Sequence, residues 1–361
     1  MTKKTPFYEE HLAAGARFVN FAGWEMPIQY TGIIAEHHAV REDLGLFDVS
    51  HMGEVEVIGV GALQAVNRLI TNDLERLDDG RACYTPLCLP SGGVIDDLIV
   101  YRFSTEHILI CTNAANHQRD YQHFVDEIDD EALEVLDRIN DYAQLALQGP
   151  RAPAFLNPLC DADLESLGRF AFIESEIAGV RCIVSRTGYT GEEGYELYIP
   201  SEGAKAVWTS IMGADAPPRL IGLGARDTLR MEMKYPLYGQ ELSEETSPLE
   251  ALLAWTVKLK KGDFIGRAAL LAQKEAGIPR SLVAFVMEGR AIPRNGYPIL
   301  TEEGEEVGAV TSGTRSPTLS RGIGLGYIPR SLAKVGAPIW VSIRGKLAEG
   351  VQVKVPRDWE E

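Results

Sequence analysis

The sequence predicts an α+β chain that ends in a small all-β unit. Helix-period and strand-period segments mix through residue 272 or so. From residue 280 onward, short strand-like runs alternate with turn residues and the helical pattern stops. The 361 residues are 45% apolar and 24% charged, the balance of a folded chain of two or three domains rather than a disordered or fibrous one.

The elements follow in order. Thr5-Pro6 reads as an N-cap and a proline in the first helical turn, with Gly15 as the stop. Residues 33–44 read as a helix ended by Gly45. His51–Ile58 alternates Met52, Val55 and Val57 imperfectly with Glu54 and Glu56, the pattern of a strand with one wet face. A helix over Ala62–Ile70 follows. Ser91-Gly92-Gly93 is a turn that joins Tyr84–Leu89 to Val94–Phe103 in a hairpin. His107–Thr112 is a strand and Asn116–Ile128 an acidic amphipathic helix. Strands recur at Leu133–Leu136, Gln144–Leu147, Arg181–Ser185 and Glu196–Ile199, and Leu220–Met233 reads as a helix. A boundary is expected within residues 272–280. Beyond it SLVAFVM, EEVGAVTSG, GIGLGYI, APIWVSI and GVQVKV read as the strands of one β unit.

Charge narrows the function. Acidic residues number 52 against 35 basic, a formal net charge of −17. That field repels phosphate backbones, so nucleic acid is not an expected partner, and a small anion would need a local basic pocket. No apolar run approaches the roughly 20 residues that span a bilayer, and the N-terminal residues lack a signal-type apolar stretch. The five cysteines form no CxxC pair, which predicts buried thiols in a reducing, cytoplasmic setting. His37 and His38 are adjacent, and His117 and His123 lie six apart. Neither spacing offers a shared ligand face, so no metal site is expected. No GxSxG elbow supports a serine nucleophile.

Three segments carry chemistry. In Gly92–Val100, strand alternation sends Asp96 and Asp97 to opposite faces, so at least one carboxylate meets apolar surroundings. Either the pair caps a turn, or one acid serves as a general base or electrostatic anchor. In Arg186–Glu196, three glycines at intervals of three read either as a hairpin with positive φ angles or as a functional loop. The spacing is neither a Walker loop nor a dinucleotide fingerprint. Glu196, framed by Tyr189, Tyr195 and Tyr198, suits a flat heterocycle with adjacent N–H donors. In Gly222–Arg230, Arg226 and Arg230 share a helix face. They read either as an exposed ion-pair ladder with Asp227 or as a positive charge for an anionic ligand.

Together these segments resemble the aminomethyltransferase (T-protein) family of the glycine cleavage system along nearly the whole chain. The matching runs include FAGWEMPIQY at 21–30, GLFDVSHMG at 45–53, GGVIDDLIVY at 92–101 and LALQGP at 145–150. They continue with RTGYTGEEGYE at 186–196, GLGARDTLRMEMKYPLYGQEL at 222–242, VTSGTRSPTL at 310–319 and IGLGYIP at 323–329. The resemblance implies a three-lobed α+β folate-binding architecture with mixed and antiparallel sheets. Residues 1–272 would form two intertwined lobes, and residues 280–361 a C-terminal β-barrel domain. It implies an enzyme that transfers the aminomethyl carbon from the dihydrolipoyl arm of the H-protein to tetrahydrofolate, giving 5,10-methylenetetrahydrofolate and ammonia. The implied partners are the lipoylated H-protein and, functionally, the glycine decarboxylase and dihydrolipoamide dehydrogenase components, with no nucleic acid, membrane or metal.

Residue by residue, the resemblance assigns Asp97 as the catalytic acid and Glu196 as the reader of the pterin edge. It makes Arg226 a folate contact, Tyr84, Asn113, Tyr189 and Tyr238 pocket positions, and Met52 an apolar wall. A carboxylate beside two folate nitrogens can accept a proton, orient the attacking nitrogen and stabilise a transient cation. The chain departs from many relatives at Leu87-Cys88 and in its end, Lys354–Trp359, where some relatives have a folate-touching aromatic and Trp359 is the one candidate for it. Two other readings belong to related proteins. A folate-binding factor of iron–sulfur assembly would carry Lys-Gly-Cys-Tyr-x-Gly-Gln-Glu. The corresponding run here, Lys234–Glu241, lacks the cysteine. A formaldehyde-capturing folate module is usually fused to a flavin domain, for which this chain has no dinucleotide motif.

Overall fold

The computed structural model describes residues 2–359. Its contacts divide the chain into two units. Within the described residues, one holds 2–69, 73–85 and 98–226, the other 70–72, 86–97 and 227–359. The chain therefore passes between units around residues 70–72, within the 81–104 hairpin and again after Arg226.

The first unit opens with helix α1 (Tyr8–Ala13), a hairpin of β1 (Arg17–Phe21) and β2 (Trp24–Gln29), and α2 (Ile33–Glu42). It continues with β3 (Gly45–Asp48), β4 (Gly53–Ile58), α3 (Ala62–Leu69), β5 (Arg81–Cys88), β6 (Val94–Ser104), β7 (His107–Thr112) and α4 (His117–Glu127). Then come β8 (Glu134–Asp137), β9 (Tyr142–Gln148), α5 (Ala152–Leu156), β10 (Phe172–Ile177), β11 (Val180–Ser185), β12 (Gly194–Pro200), α6 (Ala204–Met212), β13 (Arg219–Leu220) and the start of α7 (Leu223–Glu232). The larger sheets run β10-β11-β12-β9-β3-β13 and β5-β6-β7-β4-β8. They face one another across Tyr101, Leu109, Cys111, Phe172, Ile183 and Tyr198. Strand alternation sends Leu145, Leu147, Tyr195, Leu197 and Ile199 to the other side, against α5, α6 and Phe7.

The second unit adds α8 (Arg267–Ala276) and a closed barrel. Its strands are β14 (Arg280–Met287), β15 (Pro298–Leu300), β16 (Glu306–Arg315), β17 (Gly322–Pro329), β18 (Pro338–Ile343) and β19 (Lys346–Val353), in the order β14-β17-β16-β15-β18-β19. Period two shows in β14. Val283, Phe285 and Met287 join one core with Ile299 and Val341. Leu282, Ala284 and Val286 join another with Met231 and Leu325. The expected α+β chain with a terminal barrel is what forms.

Several local expectations change. The first helix starts at Tyr8 rather than at Pro6, because Phe7 leaves the helical path to stack on Trp208 at 5.0 Å. Gly45 does not stop α2, which ends at Glu42 with Asp43 as its C-cap. It opens β3, which pairs with β9 and β13. The 51–58 strand has no wet face: β4 is paired on both edges, and Glu54 and Glu56 are buried in the space between the sheets. Arg219–Leu220 pairs with Gly45–Leu46, which delays the following helix to Leu223. Residues 272–276 are the last turn of α8, and the turn after it begins at Gly277. The β1–β2 hairpin, β10, β15 and α6 carried no pattern strong enough to be read.

Candidate functional site

Glu196 sits on β12 with its side chain on the face shared by Tyr198, toward the space between the sheets. Tyr195 points the opposite way, into the other core, where its hydroxyl donates to the Leu164 carbonyl at 3.2 Å. It is therefore no part of an aromatic frame around Glu196. Burial pushes the Glu196 carboxyl up, while the Thr187 hydroxyl, at 2.5 Å from Oε2, and the charge of Arg226 pull it back. A carboxylate has about four acceptor positions, and Thr187 takes one of them. Arg226 stacks its guanidinium 4.9 Å from the centre of the Tyr189 ring.

The loop that presents Tyr189 is built around Gln148. Its amide donates to the Thr187 carbonyl at 3.1 Å, and its Oε1 accepts from Thr190 at 2.9 Å. A Cβ on Gly188 would fall 2.0 Å from that Oε1, so this glycine permits close approach rather than a special φ. Of the loop's three glycines only Gly191 has a positive φ, +83°. Arg41 of α2 ties down the tip, donating to the Thr190 carbonyl at 2.6 Å and to Glu192 at 2.8 Å.

Arg226 is aimed by a buried acid. Glu36 accepts from the backbone N–H groups of Tyr30 at 2.7 Å, Gly32 at 2.9 Å and Gly222 at 2.9 Å, which pins the start of α7 to the turn after β2. At Gly222 a Cβ would lie 2.4 Å from the Ile28 backbone, which accounts for the Gly-x-Gly run by packing. His51, 2% exposed, feels the same arginine. Burial and Arg226 push its pKa down to about 4, and its Nδ1 has no hydrogen-bond partner among the described residues.

Comparisons with known proteins decide the family. The GCVT N-terminal domain family matches residues 7–261, and the glycine cleavage T-protein C-terminal barrel domain family matches residues 280–357. An aminomethyltransferase of Desulfitobacterium hafniense Y51 is 50% identical over 346 residues, 95% of this chain and 94% of that protein. One from Halothermothrix orenii is 48% identical, covering 98% of this chain and 99% of that one. The crystal structure of glycine cleavage system aminomethyltransferase T from Bartonella henselae superimposes with a TM-score of 0.93. It is 32% identical and covers 99% of this chain and 98% of that one.

The chain belongs to the glycine cleavage T-protein family. It is an enzyme of the aminomethyltransferase class, so the cluster-assembly and formaldehyde-capture readings give way. Of the eight residues singled out in its sequence, six lie in the first unit of this T-protein family member and two, Asp97 and Tyr238, in the second. The structure joins Glu196, Arg226 and Tyr189 through charge and ring contact. Met52 packs against the cluster of Tyr101 and Tyr198. The Asn113 carbonyl accepts from Asn116 and His117 at the start of α4. Tyr84 is half-buried on β5.

In the second unit Asp96 is fully buried and Asp97, on the opposite face of β6, is half-buried. Tyr238 is half-buried in a turn closed by Gly239 N–H to the Leu242 carbonyl at 2.8 Å. Trp359 packs on the barrel cluster of Met231, Leu325 and Tyr327. Arg230 is not part of an exposed ladder. It is 2% exposed, with donors to Asp227, Glu241 and Ser312, each at 2.9 Å. Sequence reasoning missed Thr187, Gln148, Glu36 and His51 as parts of the site. Only the density of motif residues around them hinted at a role. No helix among the described residues is long and apolar enough to cross a membrane.

Proposed function

We propose that this enzyme takes the aminomethyl carbon from the dihydrolipoyl arm of the glycine cleavage H-protein and joins it to tetrahydrofolate, releasing ammonia. The observation that carries the reading is the Glu196 carboxylate, desolvated and held at one oxygen by Thr187, beside Arg226 and Tyr189. Two parallel N–H donors on a flat heterocycle match its two oxygens. Arg226 supplies the local positive charge that an anionic ligand needs in a chain of net charge −17. Tyr84, Asn113, Tyr189, Tyr238 and Met52 are the other ligand-contact residues of this reading.

Asp97 is the catalytic carboxylate in this reading. Half-buried on β6, its ionised form stabilises the transient cation as the sulfur link breaks and then accepts the proton that leaves the attacking nitrogen, the sulfur departing on the carrier arm and the amine as ammonia. Tetrahydrofolate supplies the nitrogens that receive the carbon. The H-protein is the direct partner, and the decarboxylase and dihydrolipoamide dehydrogenase components work before and after it in the cytoplasm.

Ammonia release from aminomethylated H-protein, with and without tetrahydrofolate, tests the reading, with calorimetry of folate binding beside it. Asp97→Asn is expected to bind tetrahydrofolate normally while turnover falls at least a hundredfold, the range of a lost general base. Glu196→Ala is expected to weaken folate binding about tenfold or more, the loss of charge-assisted hydrogen bonds. Full turnover in Asp97→Asn removes its assigned role.

A further inference from the structure

Helix α2 carries two charged side chains that reach in different directions. Glu36 lies in its first turn and Arg41 in its last. Five residues make about 1.4 turns and a rise of about 7.5 Å, so the two leave the helix on different sides. Glu36, fully buried, accepts from the Gly222 N–H at 2.9 Å and so holds the start of α7, the helix of Arg226. Arg41 Nη1 donates to the Thr190 carbonyl at 2.6 Å and to Glu192 at 2.8 Å and so holds the tip of the loop that carries Tyr189. The Arg41–Glu192 pair is nearly dry, with side chains 6% and 11% exposed.

The helix is itself seated on the chain beneath that loop. The Gly149 N–H, just past β9, donates to the Glu193 carbonyl at 2.8 Å. A Cβ on Gly149 would fall 2.4 Å from the Asp43 carbonyl oxygen and 2.9 Å from that of Val40, so the C-terminal end of α2 lies directly on this glycine. The Arg151 N–H donates to the Asp43 carbonyl at 3.1 Å. Thr190 is gripped twice, at its carbonyl by Arg41 and at its hydroxyl by Gln148 at 2.9 Å. Tyr189 is the residue before it, and its ring meets the Arg226 guanidinium 4.9 Å from the ring centre. One helix thus fixes both partners of that contact, at sequence separations of 149 and 186 residues. Cation–π attraction needs the cation within about 6 Å of the ring centre, so little slack is available on either side.

We propose that Arg41 and Glu36 are positioning residues, which through α2 set the Tyr189 ring and the Arg226 guanidinium against each other before the ligand arrives. Affinity then depends on two groups that act only through those side chains, because a preorganised site loses less conformational freedom on binding. This rests on the reading of Tyr189 and Arg226 as folate contacts.

The test has two readouts on the full chain. The first is the NMR signal of the Arg226 Nε–H group in the ligand-free protein, assigned by its loss in Arg226→Lys. Tyr189→Leu is expected to shift that signal, since the ring beside it is gone. Arg41→Met and Glu36→Gln are each expected to shift it in the same direction. An unchanged signal in Arg41→Met overturns the proposal. The second readout is calorimetry with tetrahydrofolate. Arg41→Met is expected to weaken binding about two- to fivefold, the fold-change of the cation–π contact, and to add nothing in the Tyr189→Leu background. A loss that repeats in full in that background means that Arg41 acts elsewhere, and it also overturns the proposal. If Arg41→Met does not fold, Arg41→Gln, a shorter neutral side chain that retains a hydrogen-bond donor, is judged by the same two criteria. Wild-type affinity in Tyr189→Leu defeats the folate reading of Tyr189 alone, because the Arg226 signal still decides whether α2 sets the contact.

Discussion

The Arg226 guanidinium lies over the Tyr189 ring, 4.9 Å from its centre, and so a helix and a glycine-rich loop meet at one cation–π contact. Such a contact is worth about 0.5–1 kcal/mol at a partly exposed site. Tyr189→Leu is therefore expected to weaken tetrahydrofolate binding about two- to fivefold, the fold-change of that energy. Tyr189→Phe keeps wild-type affinity if the ring face is what matters. Calorimetry on the three proteins checks this. A Phe variant as weak as the Leu variant would mean that the hydroxyl, not the ring, is used.

Glu36 holds three backbone N–H groups on two oxygens and is fully buried. Glu36→Gln turns one acceptor into a donor that faces N–H groups. It is expected to lower stability by about 1–3 kcal/mol, measured as a shift in the urea midpoint with unchanged slope. Because Gly222 opens α7, the same change is expected to loosen Arg226 and weaken folate binding in the protein that remains folded.

Asp48 and His11 form a buried pair, Nε2 to Oδ2 at 2.8 Å, with the Ser50 N–H also donating to Asp48 at 2.9 Å. Burial alone would raise the Asp48 carboxyl, but the His11 and Ser50 interactions outweigh it and hold it below the usual carboxylate range. Asp48 thus ionises more readily folded than unfolded. Its stabilisation is present above the unfolded value of about 4 and is lost as pH falls through the lower folded value. Asp48→Asn is expected to cost about 3–5 kcal/mol at pH 7, the penalty of breaking a buried pair, and less as the pH drops below 4. Urea unfolding across pH 3–8 measures it. A penalty independent of pH would show that charge is not the stabilising element.

How far the fold was legible follows the strength of local patterns. The 84–103 hairpin, the strand at 107–112, the helix near 117–127 and five of the barrel strands could be read because their alternation and turn residues repeat within a few positions. The β1–β2 hairpin and β15 could not, because β1 is largely exposed and β15 is three residues long. The wet face assigned to β4 failed for another reason. Glu54 and Glu56 look like solvent-facing residues until a second sheet covers them, and that sheet comes from residues 142–200.

By itself the sequence determined the α+β class, the terminal barrel, the family, and Glu196, Arg226 and Asp97 as the residues to examine, since all of these lie in long local runs. Tertiary structure alone decided which groups act on them. Thr187 and Ser185 are common hydroxyl residues with no signature of their own. Only the register of β11 on β12 sets them beside Glu196. The same holds for Glu36, which reaches Gly222 across 186 positions of chain, because a hydrogen bond depends on distance in space and leaves no trace in spacing along the chain.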